Sequence, residues 1–177
     1  MKMTVSTAIS AYEFDIEMLR ADKKNSNRTK LIQRDALMLQ FLHTLPVDLV
    51  LGCEGTPYDN EKPNAGSLAE IALRYHFTNN EEVKAMEKSG GDADMRYKNG
   101  RGIEIKLSVN GSCYNTPVRE IMTVYLINRE GVFIIPKTAL EAMLEDSKKL
   151  PQTADKALEY EGVKLHKTLT KALGFTL

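Results

Sequence analysis

The chain has 177 residues, its 24 lysines and arginines are matched by 24 aspartates and glutamates, and 42% of it is hydrophobic. That is enough for one compact domain with a real core, expected to span residues 1–177. No run approaches the ~20 apolar residues that cross a bilayer, and the early acids Glu13, Asp15 and Glu17 leave no signal-peptide core, so a cytoplasmic protein without membrane partners is expected. The zero net charge argues against a general nucleic-acid coat protein, which should be basic, but not against an enzyme that gathers positive charge on one face.

Two helices are expected first, over residues 7–24, where Ile9, Tyr12, Ile16 and Leu19 recur at helical spacing, and over 28–44, ended by Pro46. Together residues 1–45 form an N-terminal helical layer whose dense apolar faces suit a dimer interface. A long loop, Gly52 to Ala65, precedes a helix from Leu68 to Phe77. Residues 81–88 fit neither period. From Asp92 the period becomes two, and 92–97, 102–109, 123–128 and 132–135 read as strands. The last pair forms a hairpin at Arg129-Glu130-Gly131, closed by Pro136. A helix over 137–147 and a C-terminal helix near 160–173, within a closing segment 152–177, complete an α/β chain.

Cys53 and Cys113 have no partner spacing for zinc and read as reduced thiols. His43, His76 and His166 share no spacing and read as packing or surface residues. Basic clusters occur at Lys23, Lys24, Arg28, Lys30 and Arg34, and at Lys164, Lys167 and Lys171, each compatible with a solvated helix face.

The segment from Asp92 to Leu107 carries the chemistry. A two-residue turn at Asn99-Gly100 would set charge against apolar side chains, Asp94 against Ile105 and Met95 against Glu104. A three-residue loop, Lys98-Asn99-Gly100, with Gly100 left-handed in a bulge, sets Met95 against Ile103 and Ala93 against Ile105 on one apolar face. On the other face Asp94 then opposes Glu104, and Asp92 opposes Lys106. Opposed carboxylates with Cβ atoms roughly 4.5–5.5 Å apart repel unless a cation lies between them, and Mg2+ takes such oxygen ligands. Alternating Ile103, Glu104, Ile105, Lys106, Leu107 is also what a half-exposed strand looks like, so these residues alone leave both readings open.

Asp94, with Glu104 ten residues later, then Ile105 and Lys106, on two strands of one hairpin, resembles the core of the PD-(D/E)XK nuclease superfamily, which includes restriction endonucleases and Holliday-junction resolvases. The resemblance covers roughly residues 66–147. It implies a restriction-endonuclease-like central mixed β-sheet flanked by helices. Ala93 stands where the motif's proline would be, and Asp92 competes with Asp94 as the ligand. Glu70 is similar to the family's helix glutamate, although Ser67-Leu68-Ala69-Glu70 also spells a capping box.

The resemblance implies a DNA endonuclease that hydrolyses phosphodiester bonds with a metal-activated water, leaving a 5′-phosphate and a 3′-hydroxyl. Asp94, Glu104 and the Ile105 carbonyl would hold Mg2+, with Mn2+ as a substitute. Lys106 would orient the nucleophile or stabilise developing charge, and Glu70 would bind a second metal or position water. Ser108, Asn110, Ser112 and Asn115 are candidate contacts to double-stranded or branched DNA, with the 52–65 loop as a second candidate. A compact restriction enzyme or a junction resolvase, working as a homodimer because two cuts need two sites, is the expectation. The alternative is a catalytically idle nuclease fold that binds nucleic acid or a protein partner.

Overall fold

A computed structural model of the chain describes residues 3–51, 62–77, 83–85, 93–97, 99–109 and 121–177. Two compact units are present, residues 1–72 and 73–177, and the division falls within one helix.

The first unit is built on a helical hairpin. Helices α1 (Val5–Ala21) and α2 (Arg28–Leu42) pack together. Val5, Ala8, Tyr12 and Ile16 form the buried stripe of α1, and Met38, Phe41 and Leu42 that of α2. Thr4 caps α1 through its hydroxyl, which accepts from the Thr7 amide at 3.3 Å. The helix therefore starts and ends earlier than its periodicity suggests, and Lys23 and Lys24 lie beyond it. The 47–51 run lies beside the N-terminus: the Val5 amide donates to the Leu49 carbonyl at 2.9 Å and the Leu51 amide to the Met3 carbonyl at 2.9 Å. Phe14 and Met18 project from α1 as exposed apolar side chains.

Buried charge marks this unit. Asp35 is only 1% exposed and is held by the Arg34 guanidinium at 2.7 Å. Tyr12 donates its hydroxyl to the Pro63 carbonyl at 2.8 Å, and Lys62 sits 4.0 Å over its ring while pairing with Asp15. Burial, reinforced by Asp35, pushes the Tyr12 phenol above its ordinary range.

Helix α3 (Ala65–Phe77) begins at Asn64, whose side chain accepts from the Ser67 amide at 3.0 Å. The cap expected at Ser67 is thus replaced. Ser67 already lies inside the first turn, and the amide it would offer Glu70 is bound to Asn64.

The second unit holds a six-stranded mixed sheet in the order β1 (Val83–Ala85), β2 (Met95–Tyr97), β3 (Gly102–Leu107), β4 (Ile121–Ile127), β5 (Val132–Pro136) and β6 (Lys164–Leu165). All neighbours are antiparallel except β3 and β4. One face carries Val124, Leu126, Phe133 and Ile135, which pack with Ala139, Leu140 and Met143 of α4 (Lys137–Asp146) and Ala157 of α5 (Ala154–Leu158). On the other face the Phe77 ring meets the Tyr125 ring edge-on at 5.0 Å. No described helix is long and apolar enough to cross a membrane. The expected mixed sheet flanked by helices is therefore present as an architecture.

The expected C-terminal helix over 160–173 is broken. Gly162 adopts φ +81°, and the chain turns there, adds β6 to the sheet edge, and only then forms α6 (Lys167–Ala172). A side chain at 162 would meet Pro136 at 3.1 Å, so glycine suits both the turn and the close approach. His166 caps α6, its Nδ1 accepting from the Leu169 amide at 3.2 Å.

Candidate active site

The β2–β3 hairpin has the bulged three-residue turn. Gly100 lies at φ +82°, its amide donates to the Tyr97 carbonyl at 2.8 Å, and the Tyr97 amide donates to the Arg101 carbonyl at 2.9 Å. Met95 pairs with Ile103 and Arg96 with Gly102. This is the register that the apolar alternation demands.

The ladder ends at Met95, three residues short of the expected strand start, so the expected pairings of Asp94 with Glu104 and of Ala93 with Ile105 are not part of it. Antiparallel rungs alternate, so after Met95 and Ile103 the next hydrogen-bonded pair would be Ala93 and Ile105. Instead the chain bends at Asp94, and its carboxylate accepts the Ile105 amide at 2.6 Å. The expected strand over 92–97 is shortened to Met95–Tyr97 because a side chain replaces a backbone carbonyl. Asp94 is thereby fastened to the Glu104–Ile105 peptide. A strand residue sends its N–H and C=O to the same side, so the Ile105 carbonyl points toward the same flank as Asp94.

Glu104 pairs in register with Val124, and Lys106 with Leu126, in the parallel β3–β4 ladder. Both therefore lie on the face of the sheet that α4 and α5 cover. Glu104 is one of few buried charged residues among those described. The Lys106 ammonium meets its Oε1 at 2.5 Å, with the lysine side chain 32% and the glutamate 7% exposed.

The oxygen donors suit a hard cation. Asp94 binds the peptide that follows Glu104, and the Ile105 carbonyl belongs to the next peptide; Mg2+ usually takes one or two carboxylates and completes its shell with water or phosphate. Among the described residues no three His, Cys, Asp or Glu side chains converge.

The remaining candidates are placed differently. Glu70 is half-buried on α3 within the first unit. Ser108 is buried, and its hydroxyl donates to the Leu150 carbonyl at 2.8 Å, so it ties the end of β3 to the C-terminal half. Asp92, Asn110, Ser112, Asn115, Cys53, Cys113 and most of the 52–65 loop lie outside the described residues.

One positioning residue was not anticipated. The Arg129 guanidinium grips the Val109 carbonyl with two bonds, at 3.1 and 2.7 Å, where the chain leaves β3. Arg129 stands in a turn, and only the adjacency of β3 and β4 gives it that target. Comparison with protein-family models, characterised proteins and solved structures found no match.

Proposed function

We propose that the chain is a metal-dependent endonuclease that hydrolyses DNA phosphodiester bonds, as a compact restriction enzyme or a junction resolvase. The observation that carries this reading is the Asp94 carboxylate bound to the peptide that follows Glu104. Two acids at one peptide, with a lysine on the same strand face, are a donor set and a cationic group for phosphoryl chemistry.

Asp94, Glu104 and the Ile105 carbonyl would hold Mg2+, or Mn2+ in its place. When bound, the ion supplies positive charge to the phosphate and lowers the pKa of its water. Lys106 would stabilise negative charge developing on the phosphate. A homodimer would deliver two cuts.

The test is cleavage of supercoiled plasmid and of branched DNA with Mg2+. Asp94→Ala, Glu104→Ala and Lys106→Ala should each lose cleavage by about 100-fold or more. If these variants cut as well as the parent, the assigned residues are not the site.

The Glu104–Lys106 pair also favours a second reading. It compensates the buried carboxylate with no metal, as a catalytically idle nuclease fold that binds DNA or a protein would require. Tight DNA binding with no cleavage of either substrate, in Mg2+ or Mn2+, would support it.

A further inference from the structure

Glu104 lies beside Val124 in register, on the face that also carries Leu126, Phe133 and Ile135. A carboxylate placed there needs positive charge close by. Lys106 brings it, with Nζ at 2.5 Å from Oε1. Alternation along β3 puts the two side chains on one face, so the pair is built into the strand.

The same carboxylate is the one a metal would use. An ammonium seated on it and a divalent cation beside it would repel each other. We propose that Lys106 is the resident counter-ion of Glu104 and that metal loading displaces its ammonium, which turns to the phosphate. This rests on the metal-site reading above and adds an order of events to it. Without metal, Lys106 is engaged with Glu104 and contributes little to phosphate binding. With metal, Glu104 is compensated and the lysine is released. Metal arrival would then arm the cationic group.

Two measurements on the whole chain test the exchange. In the first, Mg2+ is titrated calorimetrically into the parent and into Lys106→Met, which keeps the length of the side chain and removes its charge. The variant should bind Mg2+ more tightly, by roughly five-fold, the factor that matches loss of a competing, partly exposed ion pair. In the second, the parent is acetylated with an amine-directed reagent, and modification of Lys106 is followed by peptide mass spectrometry. Mg2+ should raise the rate at Lys106 several-fold and leave Lys148 and Lys149 unchanged.

An equal or weaker affinity in a folded Lys106→Met, or a labelling rate at Lys106 that Mg2+ does not change, overturns the exchange. If Lys106→Met does not fold, labelling of the parent decides alone. The metal-site reading stands or falls separately: it survives those results if the parent binds Mg2+ and Asp94→Asn does not. If neither the parent nor Lys106→Met binds Mg2+, both readings fall.

Discussion

The Asp94 carboxylate accepts the Ile105 amide at 2.6 Å, where the next rung of the β2–β3 ladder would have stood. Asp94 therefore has a part in the fold as well as in the proposed chemistry, and two substitutions separate them. Asparagine can still accept the amide through its side-chain oxygen, whereas alanine leaves that amide without its acceptor. Asp94→Ala should lose about 1–3 kcal/mol of stability in urea unfolding and Asp94→Asn clearly less, with cleavage lost in both. Equal destabilisation by the two would show that the amide bond contributes nothing.

Two glycines with positive φ should respond differently to alanine. Gly100 lies at φ +82° with nothing within 4 Å of the place a Cβ would take, so only backbone strain opposes Gly100→Ala. That should cost roughly 1–2 kcal/mol. At Gly131, φ +156°, the added carbon would meet Thr170 at 2.9 Å and Leu165 at 3.0 Å. Thermal melts should place Gly131→Ala well below Gly100→Ala, and the reverse order would contradict the packing described around β6 and α6.

Glu130 caps a helix that is remote in sequence. Its carboxylate accepts from the Ala154 amide at the start of α5, while the local cap residue Thr153 makes no side-chain bond there. Glu130→Ala should destabilise the chain by about 0.5–2 kcal/mol, and Glu130→Gln by less, because the amide oxygen can still accept. Urea unfolding at neutral pH measures both.

Acid should weaken the fold through two histidines. Burial lowers the pKa of His166, against a smaller opposing backbone contribution, and burial also lowers that of His76. The unfolded chain then binds protons that the folded chain does not. Their stability contribution is present above the ordinary histidine pKa of about 6.5 and is lost as pH falls through the depressed folded values. Protonation of His166 at Nδ1 would also remove its acceptor role toward Leu169. His166→Asn keeps a capping oxygen and should flatten part of the stability decline between about pH 6.5 and 5. An unchanged slope in that variant would remove His166 from the account.

The hairpin was legible in the sequence because alternation leaves little choice. Only the bulged turn sets Met95 against Ile103, and Gly100 is the residue such a turn requires. The end of the ladder was not legible, since nothing in the string Asp92-Ala93-Asp94 says that a side chain will displace a carbonyl. Ser67 and Asn64 are both competent caps, and the helix uses the earlier one. The 160–173 stretch has apolar spacing compatible with a helix, yet Gly162 and the open edge of β5 outweigh it. Ser108 sits in a polar run that reads as surface, but its acceptor, Leu150, lies 42 residues away. For the same reason Asp35, on a helix face with basic neighbours, gives no hint that it is buried.

The two-residue β6 has a further consequence. It pairs with Phe133 and Ile134, and the His166 amide continues the seam by donating to the Val132 carbonyl at 2.8 Å. Without that cover β5 would present unpaired amides and carbonyls beside large apolar side chains, a template for association with other chains. Lys164, exposed on β6, sets a charge at the rim. The last elements of the chain thus act as a guard on solubility, and a protein cut at Gly162 should aggregate before it loses its hairpin.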